Sequence, residues 1–216
     1  MRKMKNIAIY GAGGLGREVA CLLNTINGDN PIWNFIGFID DVKEVGATNE
    51  YGTVLGGIDF LNSYPSALSV IIAIGNPRGV AGIVKKIRNA NIEFPNIIAP
   101  DVRLVDKENM KIGIGNILSW NCTISCHVNI GNFNVFNGWV TVGHDAVIDD
   151  FNSFMTGVRI AGDTHIGNEN YFGVSSVLLQ KKKVGNNTII GAGSIVIRAT
   201  KDNKTYMGVP ATVVEY

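Results

Sequence analysis

The chain has three histidines, His127, His144 and His165, and one of them stands beside a carboxylate in Gly143-His144-Asp145. Imidazole titrates near neutral pH, so it can take a proton from an amine or hydroxyl as that group attacks a carbonyl carbon. A neighbouring carboxylate can fix the tautomer and stabilise the imidazolium. The pair suits acyl transfer, with His144 as base and Asp145 as its partner; the same dipeptide also occurs as ordinary surface. A second pairing is open, because Asp145 lies 18 residues after His127 and could serve that ring instead. A three-histidine zinc site would need all three rings to converge. They fall at different offsets of the repeat described below, which argues against it, although His127 and His144 are only 17 apart. Cys122 and Cys126 look like half a zinc site without a second pair, so no metal is expected. With Cys21 they make an odd count, as for reduced thiols in the cytoplasm.

A second set of residues suits a phosphate. Lys5 to Tyr10 reads as a buried strand, Gly11-Ala-Gly-Gly-Leu-Gly16 follows at once, and Arg17 to Asn27 has helical apolar spacing. In such a turn Gly11 permits the tight bend, Gly13 lets backbone approach a diphosphate, and Gly16 allows close helix packing, while the helix start offers free N–H groups. A strand at about 33–39 ends in Asp40-Asp41, where an acidic residue can hold a ribose hydroxyl. A third strand, Ser69 to Ile74, ends in Gly75-Asn76-Pro77-Arg78. Pro77 suits the first turn of a helix reaching about Ala90, and Phe94 to Ile98 reads as a fourth strand. The glycine turn also fits a tight bend with no ligand, or a nicotinamide site. A sheet this small suits one nucleotide diphosphate better than a full dinucleotide.

The elements that must position His144 have another rhythm. Every sixth residue from Ile112 through Val142 and Ile148 to Val196 is large and apolar, and the next residue is often glycine. A period of six is neither helical nor the alternation of a hairpin sheet. It matches hexapeptide repeats, in which three short strands make one 18-residue triangular coil with the apolar residue inward. Fifteen repeats make five coils, without an insertion from Ile112 to Val196. The flat faces suit side-by-side packing as a trimer. The tail, with Gly208-Val-Pro-Ala211, reads as an extended segment with a turn. The fold class is thus an α/β Rossmann-like half-domain over 1–98 followed by an all-β parallel β-helix over 99–216.

Composition excludes several classes. Of the 216 residues 46% are hydrophobic and 17% charged, as in a soluble globular chain, and a net charge of +1 leaves no basic excess for nucleic acid. The apolar run after the basic start ends at Gly11, too short for a signal peptide, and no segment is long enough to span a membrane, so a cytoplasmic protein is expected.

Seven motifs, in order along the chain, carry a resemblance: Ile9-Tyr-Gly-Ala-Gly-Gly-Leu-Gly16, Phe38-Ile-Asp-Asp41, Ala73-Ile-Gly-Asn76, Gly143-His-Asp145, Ala161-Gly162, Ile190-Gly-Ala-Gly-Ser194 and Gly208-Val-Pro-Ala211. Together they resemble the bacterial nucleotide-sugar acetyltransferases of the sialic acid O-acetyltransferase, NeuD/PglD-like type. The resemblance implies a left-handed β-helix and a homotrimer with active sites between subunits. It implies acetyl-CoA as co-substrate and a nucleotide-linked amino-deoxy sugar as acceptor, N-acetylated for bacterial surface glycan such as O-antigen. O-acetylation of a sialic acid type sugar is the alternative. His144 would be the general base and Asp145 its orienting partner. Ser153, Gly162, Gly173, Ala192 and Lys183 would line acetyl-CoA, with the Gly162 N–H on the thioester carbonyl. Gly11, Gly13, Gly14, Asp40 and Asp41 would surround the nucleotide sugar, with Gly75 and Asn76 nearby. Many members carry a second histidine nine residues after the first; here Ser153 stands there, which can donate a hydrogen bond but carries no charge. Lys181-Lys-Lys183 could meet CoA phosphates or form a solvated turn.

Overall fold

The computed structural model describes residues 4–214; the basic residues Arg2 and Lys3 lie outside them. The N-terminal half is a six-stranded sheet with strands β1 (Lys5–Tyr10), β2 (Trp33–Ile39), β3 (Thr48–Asn49), β4 (Gly52–Gly56), β5 (Leu68–Ile72) and β6 (Ile92–Glu93). Their spatial order is β3-β4-β2-β1-β5-β6, parallel except for the β3–β4 pair. Three helices join them: α1 (Gly14–Asn27), α2 (Ile58–Ser63) and α3 (Pro77–Lys86). Strand alternation sends Ile7 and Ile9 to the side packed by Val19, Leu22 and Leu23 of α1. Ala8 and Tyr10 go to the other side, with Leu61 of α2 and Val80 of α3. Among the described residues no helix is long and apolar enough to cross a membrane.

Three regions differ from expectation. The β3–β4 hairpin and α2 fill a stretch whose glycines, Gly52, Gly56 and Gly57, gave no strand pattern. Helix α3 stops at Lys86: the Ile87 N–H still closes on the Ile83 and Val84 carbonyls, but the Arg88 N–H leaves the helix and donates to Asn62 Oδ1. The expected fourth strand, Phe94 to Ile98, is displaced: Ile92–Glu93, just before it, closes the first sheet, and only its last two residues, Ile97–Ile98, are strand, beginning the second half of the chain.

That half is a left-handed β-helix. Its first face stacks parallel two-residue strands at Ile97–Ile98, Ile117–Leu118, Val135–Phe136, Ser153–Phe154, Tyr171–Phe172 and Ile189–Ile190. The second runs from Arg103–Leu104 through Thr141–Val142 and Arg159–Ile160 to Ile195–Val196. The third runs from Lys111–Ile112 through Val147–Ile148 and His165–Ile166 to Lys183–Val184. The second residue of each strand points inward, and Phe136, Phe154 and Phe172 stack at 4.8 and 5.0 Å. The ladder starts two strands earlier than the period at Ile112 indicates. Leu104 and Ile112 are eight residues apart, so counting back by six from Ile112 lands on Asp106 and Pro100. The tail forms two antiparallel strands, Thr205–Met207 and Thr212–Val214, on the end of the first face.

At the corner between the third and first faces, Asn116, Asn134, Asn152 and Asn170 are all fully buried, one per coil. Each side-chain oxygen accepts from the next backbone amide: Asn134 N to Asn116 Oδ1 at 2.9 Å, Asn152 N to Asn134 Oδ1 at 2.8 Å, and Asn170 N to Asn152 Oδ1 at 2.9 Å. Removing one rung strands buried polar groups above and below it, which costs more than the net value of the bonds themselves. Asn134→Ala is expected to lose about 3 kcal/mol and to lower the melting temperature by about 5–10 °C. A melting point within about 1 °C of the parent, on the same scale, would show that the ladder does not carry that load.

Candidate active site

His144 lies at the corner between the second and third faces. Four successive coils carry a left-handed residue in this turn, His127, Asp145, Asp163 and Lys181, and Asp145 takes that position at φ +57°. Its amide donates to the Cys126 carbonyl of the coil before, at 3.0 Å, and the His144 carbonyl accepts from the Asp163 amide of the coil after, at 2.8 Å. The backbone is thus fixed from both sides while the two side chains remain exposed, at 60% and 57%. Asp145 Oδ2 is 2.7 Å from His144 Nδ1. A carboxylate can only accept, so Nδ1 carries the hydrogen, and in the neutral ring Nε2 holds the lone pair. The ring lies on Gly162, one coil along: a Cβ there would sit 2.6 Å from Nε2 and 2.7 Å from Cε1. The Gly162 N–H makes no hydrogen bond among the described residues. The equivalent amides at the asparagine corner are taken up, as where Asn132 N donates to Asp150 Oδ1.

Of the other pairings considered, Asp145 is engaged by His144 and not by His127, which is exposed in its own left-handed turn. His165 is on the third face, with Nε2 3.1 Å from Asp149 Oδ2. The cysteines are free thiols. Burial pushes the Cys122 thiol up to about 11, and its Sγ donates to the Asn137 carbonyl at 3.1 Å.

The glycine turn follows β1 as expected. Gly11 takes φ +106° against the Ala73 carbonyl, where a Cβ would come within 2.7 Å. A Cβ on Gly13, Gly14 or Gly75 would meet nothing within 4 Å, so these three border open space. Helix α1 begins without a side-chain cap or an acidic residue in its first turn, which leaves its amides to an incoming anion. Asp40 braces this turn: Oδ2 accepts from Ala12 N at 2.9 Å, and Oδ1 from Val42 N at 2.9 Å and Lys43 N at 3.0 Å. Burial raises its carboxyl, but those backbone hydrogen bonds and the Lys43 charge prevail, and the group stays below the usual carboxylate range. Asp41 accepts from the Tyr10 hydroxyl at 2.5 Å and from Ile58 N at 2.8 Å, holding the start of α2. Burial first, then this bond, drives the Tyr10 hydroxyl upward, so Tyr10 remains the donor. Asn76 caps α3, its Oδ1 accepting from Arg78 N and Gly79 N.

The two groups of residues lie apart within one chain. Gly75 and Asn76 open onto a cavity of about 620 Å³ between α3 and the first face of the β-helix. His144 is at the corner opposite that face. The five residues expected around acetyl-CoA are likewise distributed. Gly162 is under His144, and Lys183 is on the third face beside His165. Gly173 and Ala192 adjoin each other at the corner between the first and second faces, where a Cβ on Gly173 would be 2.5 Å from Ala192 N. Ser153 is on the first face, 1% exposed, with its hydroxyl shut off from solvent in the single chain.

Residues 6–87 match the family model of the PglD N-terminal domain. No curated protein matches the chain by sequence. The acetyltransferase domain of PglB from Neisseria gonorrhoeae FA1090 is 26% identical over 97% of this chain and all of its own, with a TM-score of 0.87. Its structure in complex with acetyl coenzyme A gives 25% identity over 98% of this chain and all of its own, with a TM-score of 0.85. These features fit a PglD-like sugar acetyltransferase with a hexapeptide-repeat β-helix. A mutant of perosamine N-acetyltransferase from Caulobacter crescentus, in complex with CoA and GDP-perosamine, shares the fold at 20% identity, with 99% of both chains covered and a TM-score of 0.85.

Within this PglD-like frame, sequence reasoning missed the residues lining the cavity from two sides: Arg78 from α3, and Glu169, Tyr171 and Lys204 from the β-helix. Arg78 Nε donates to Asn187 Oδ1 at 2.6 Å, tying the two halves together. Glu169 sits at a left-handed turn position, φ +58°, that the six-residue count could have located but not linked to α3.

Proposed function

We propose that this chain is an acetyl-CoA-dependent N-acetyltransferase for a nucleotide-linked amino-deoxy sugar, with His144 as general base. The observation that carries the reading is the His144 ring, its Nδ1 on Asp145 and its Nε2 lone pair exposed over an unbonded Gly162 amide. Support comes from the likeness to an acetyltransferase domain that binds acetyl coenzyme A and to a perosamine N-acetyltransferase that binds CoA and GDP-perosamine.

The sugar amine attacks the thioester carbonyl carbon. His144 Nε2 takes the proton released as the C–N bond forms, and the Gly162 N–H receives the developing oxyanion. The C–S bond then breaks and the thiolate regains a proton from the imidazolium, leaving an amide and CoA. The nucleotide would lie over Gly13 and Gly14, with Asp40 and Asp41 holding the turn, and the sugar would pass Gly75 and Asn76 into the cavity. Acetyl-CoA would bridge two copies, contacting Gly162 and Lys183 of one chain and Gly173 and Ala192 of the next; Ser153, whose hydroxyl is shut off from solvent, drops out of the expected set. The opposite placement of cavity and imidazole supports a homotrimer in which each site takes its base from a neighbour. The 1–98 half would then act as nucleotide-sugar holder and the 99–216 half as acyl donor site. The product would feed surface glycan synthesis of the O-antigen kind in the bacterial cytoplasm.

The test is free-thiol release with acetyl-CoA and a panel of UDP-, dTDP- and GDP-linked amino sugars beside their hydroxyl counterparts. Release is expected only when acetyl-CoA and an amino sugar are both present. Release with the hydroxyl sugars alone would replace N- by O-acetylation, and no release with any member of the panel would end the reading.

A further inference from the structure

The cavity between α3 and the first face has a charge pattern that an uncharged sugar would not need. Arg78 enters from α3, and Lys204 from the segment that leads into the last strand of that face. Glu169 enters from the asparagine corner. Although all three line one cavity, the Glu169 carboxylate forms no salt bridge or hydrogen bond among the described residues, its backbone N–H alone being engaged by the Asp150 carbonyl. Arg78 donates its Nε to Asn187 Oδ1, which holds the guanidinium against the β-helix wall of the cavity, and it forms no ion pair with Glu169. A carboxylate and two cations kept apart in one cavity suit a ligand that carries both signs of charge.

We propose that Glu169 is the specificity-determining residue for the acceptor, its carboxylate receiving the ammonium group of the sugar while Arg78 and Lys204 meet the diphosphate. The assignment rests on the nucleotide-sugar reading above and adds which chain atom reads the amine. The path is continuous: β1 and β5 are neighbours, so the glycine turn after one and Gly75 after the other border the same end of the sheet. A diphosphate running from Gly13 and Gly14 past Gly75 would reach Arg78 and Lys204 in the cavity, and its sugar would continue to Glu169. A hydroxyl sugar would leave the carboxylate desolvated without a cation, which disfavours it. The amine is bound in its protonated form; the ammonium releases one proton to solvent water before attack, and His144 takes the second as the C–N bond forms, so recognition and catalysis fall to different groups.

The test uses Glu169→Gln, which keeps shape and removes charge. Binding is read by titration calorimetry without acetyl-CoA, with GDP-perosamine and with UDP- and dTDP-linked 4-amino-4,6-dideoxyhexoses as probes. Wild type is expected to prefer at least one amino sugar nucleotide over its hydroxyl counterpart. Glu169→Gln should weaken that amino sugar about tenfold or more while binding of the bare nucleoside diphosphate stays unchanged. The KM for acetyl-CoA should also hold, which separates a lost contact from a damaged fold. Glu169→Asp should recover part of the preference. If wild type acetylates an amino sugar and Glu169→Gln binds it as tightly, the inference is wrong while the N-acetyltransferase reading stands. If wild type releases no CoA with any amino sugar, that reading fails and this one with it.

Discussion

His144→Ala should lose activity by a factor of about 100 or more while still binding acetyl-CoA and the sugar nucleotide. The imidazole is 60% exposed at a corner whose backbone is fixed by the neighbouring coils, so its loss removes a proton acceptor without opening the core. Turnover at the parent rate in steady-state thiol assays would refute the role of base. The same variant can locate the site. Gly13→Glu places a negative charge at the open turn where the diphosphate would lie, and a Cβ there would meet nothing within 4 Å. Each variant alone should be inactive. Co-expressed in equal amounts, they should recover roughly a quarter of parental activity, because some sites take their imidazole from one chain and their glycine turn from another. Silence of the mixture would mean that one chain supplies both.

The second large effect is expected from Gly162→Ala. The backbone there accepts an alanine, as its φ lies outside the left-handed range, and the nearest obstructing atoms are all of the His144 ring. A methyl group 2.6 Å from Nε2 must push the imidazole off its seat. Displacement of a catalytic group by about 1 Å can cost 100-fold, so kcat should fall about 10–100-fold. The melting temperature should stay within about 2 °C because no core contact is lost. Binding of the sugar nucleotide should hold, since the glycine turn is in the other half of the chain. An unchanged kcat would mean that the ring position over Gly162 has no part in the chemistry.

Much of this arrangement was legible from residue order. The six-residue period from Ile112 located each inward residue, and because Phe136, Phe154 and Phe172 recur at the interval of one coil, their stacking follows from counting. The His144–Asp145 pair and the glycine turn were legible because their partners are local. The buried asparagines were equally countable, yet a polar residue inside a prism runs against hydrophobic pattern reading, which treats it as surface. The first coil was hidden by the two extra residues before Ile112. The cavity was hidden for another reason: Arg78 and Asn187 are 109 residues apart, and Phe94 joins the stacked Phe133 and Phe151 only once the two halves dock. No periodicity within either half encodes that docking.

The constant interval between stacked strands, as from Val135 to Ser153 to Tyr171, has a consequence for how such a chain can change over generations. Eighteen codons gained or lost in step add or remove one storey of the prism and leave every remaining side chain on its own wall. Six codons instead rotate everything downstream by a third of a revolution, carrying the shell of a distant corner round to face a different neighbour. Lineages of this fold are therefore free to vary in height and nearly forbidden to vary in phase.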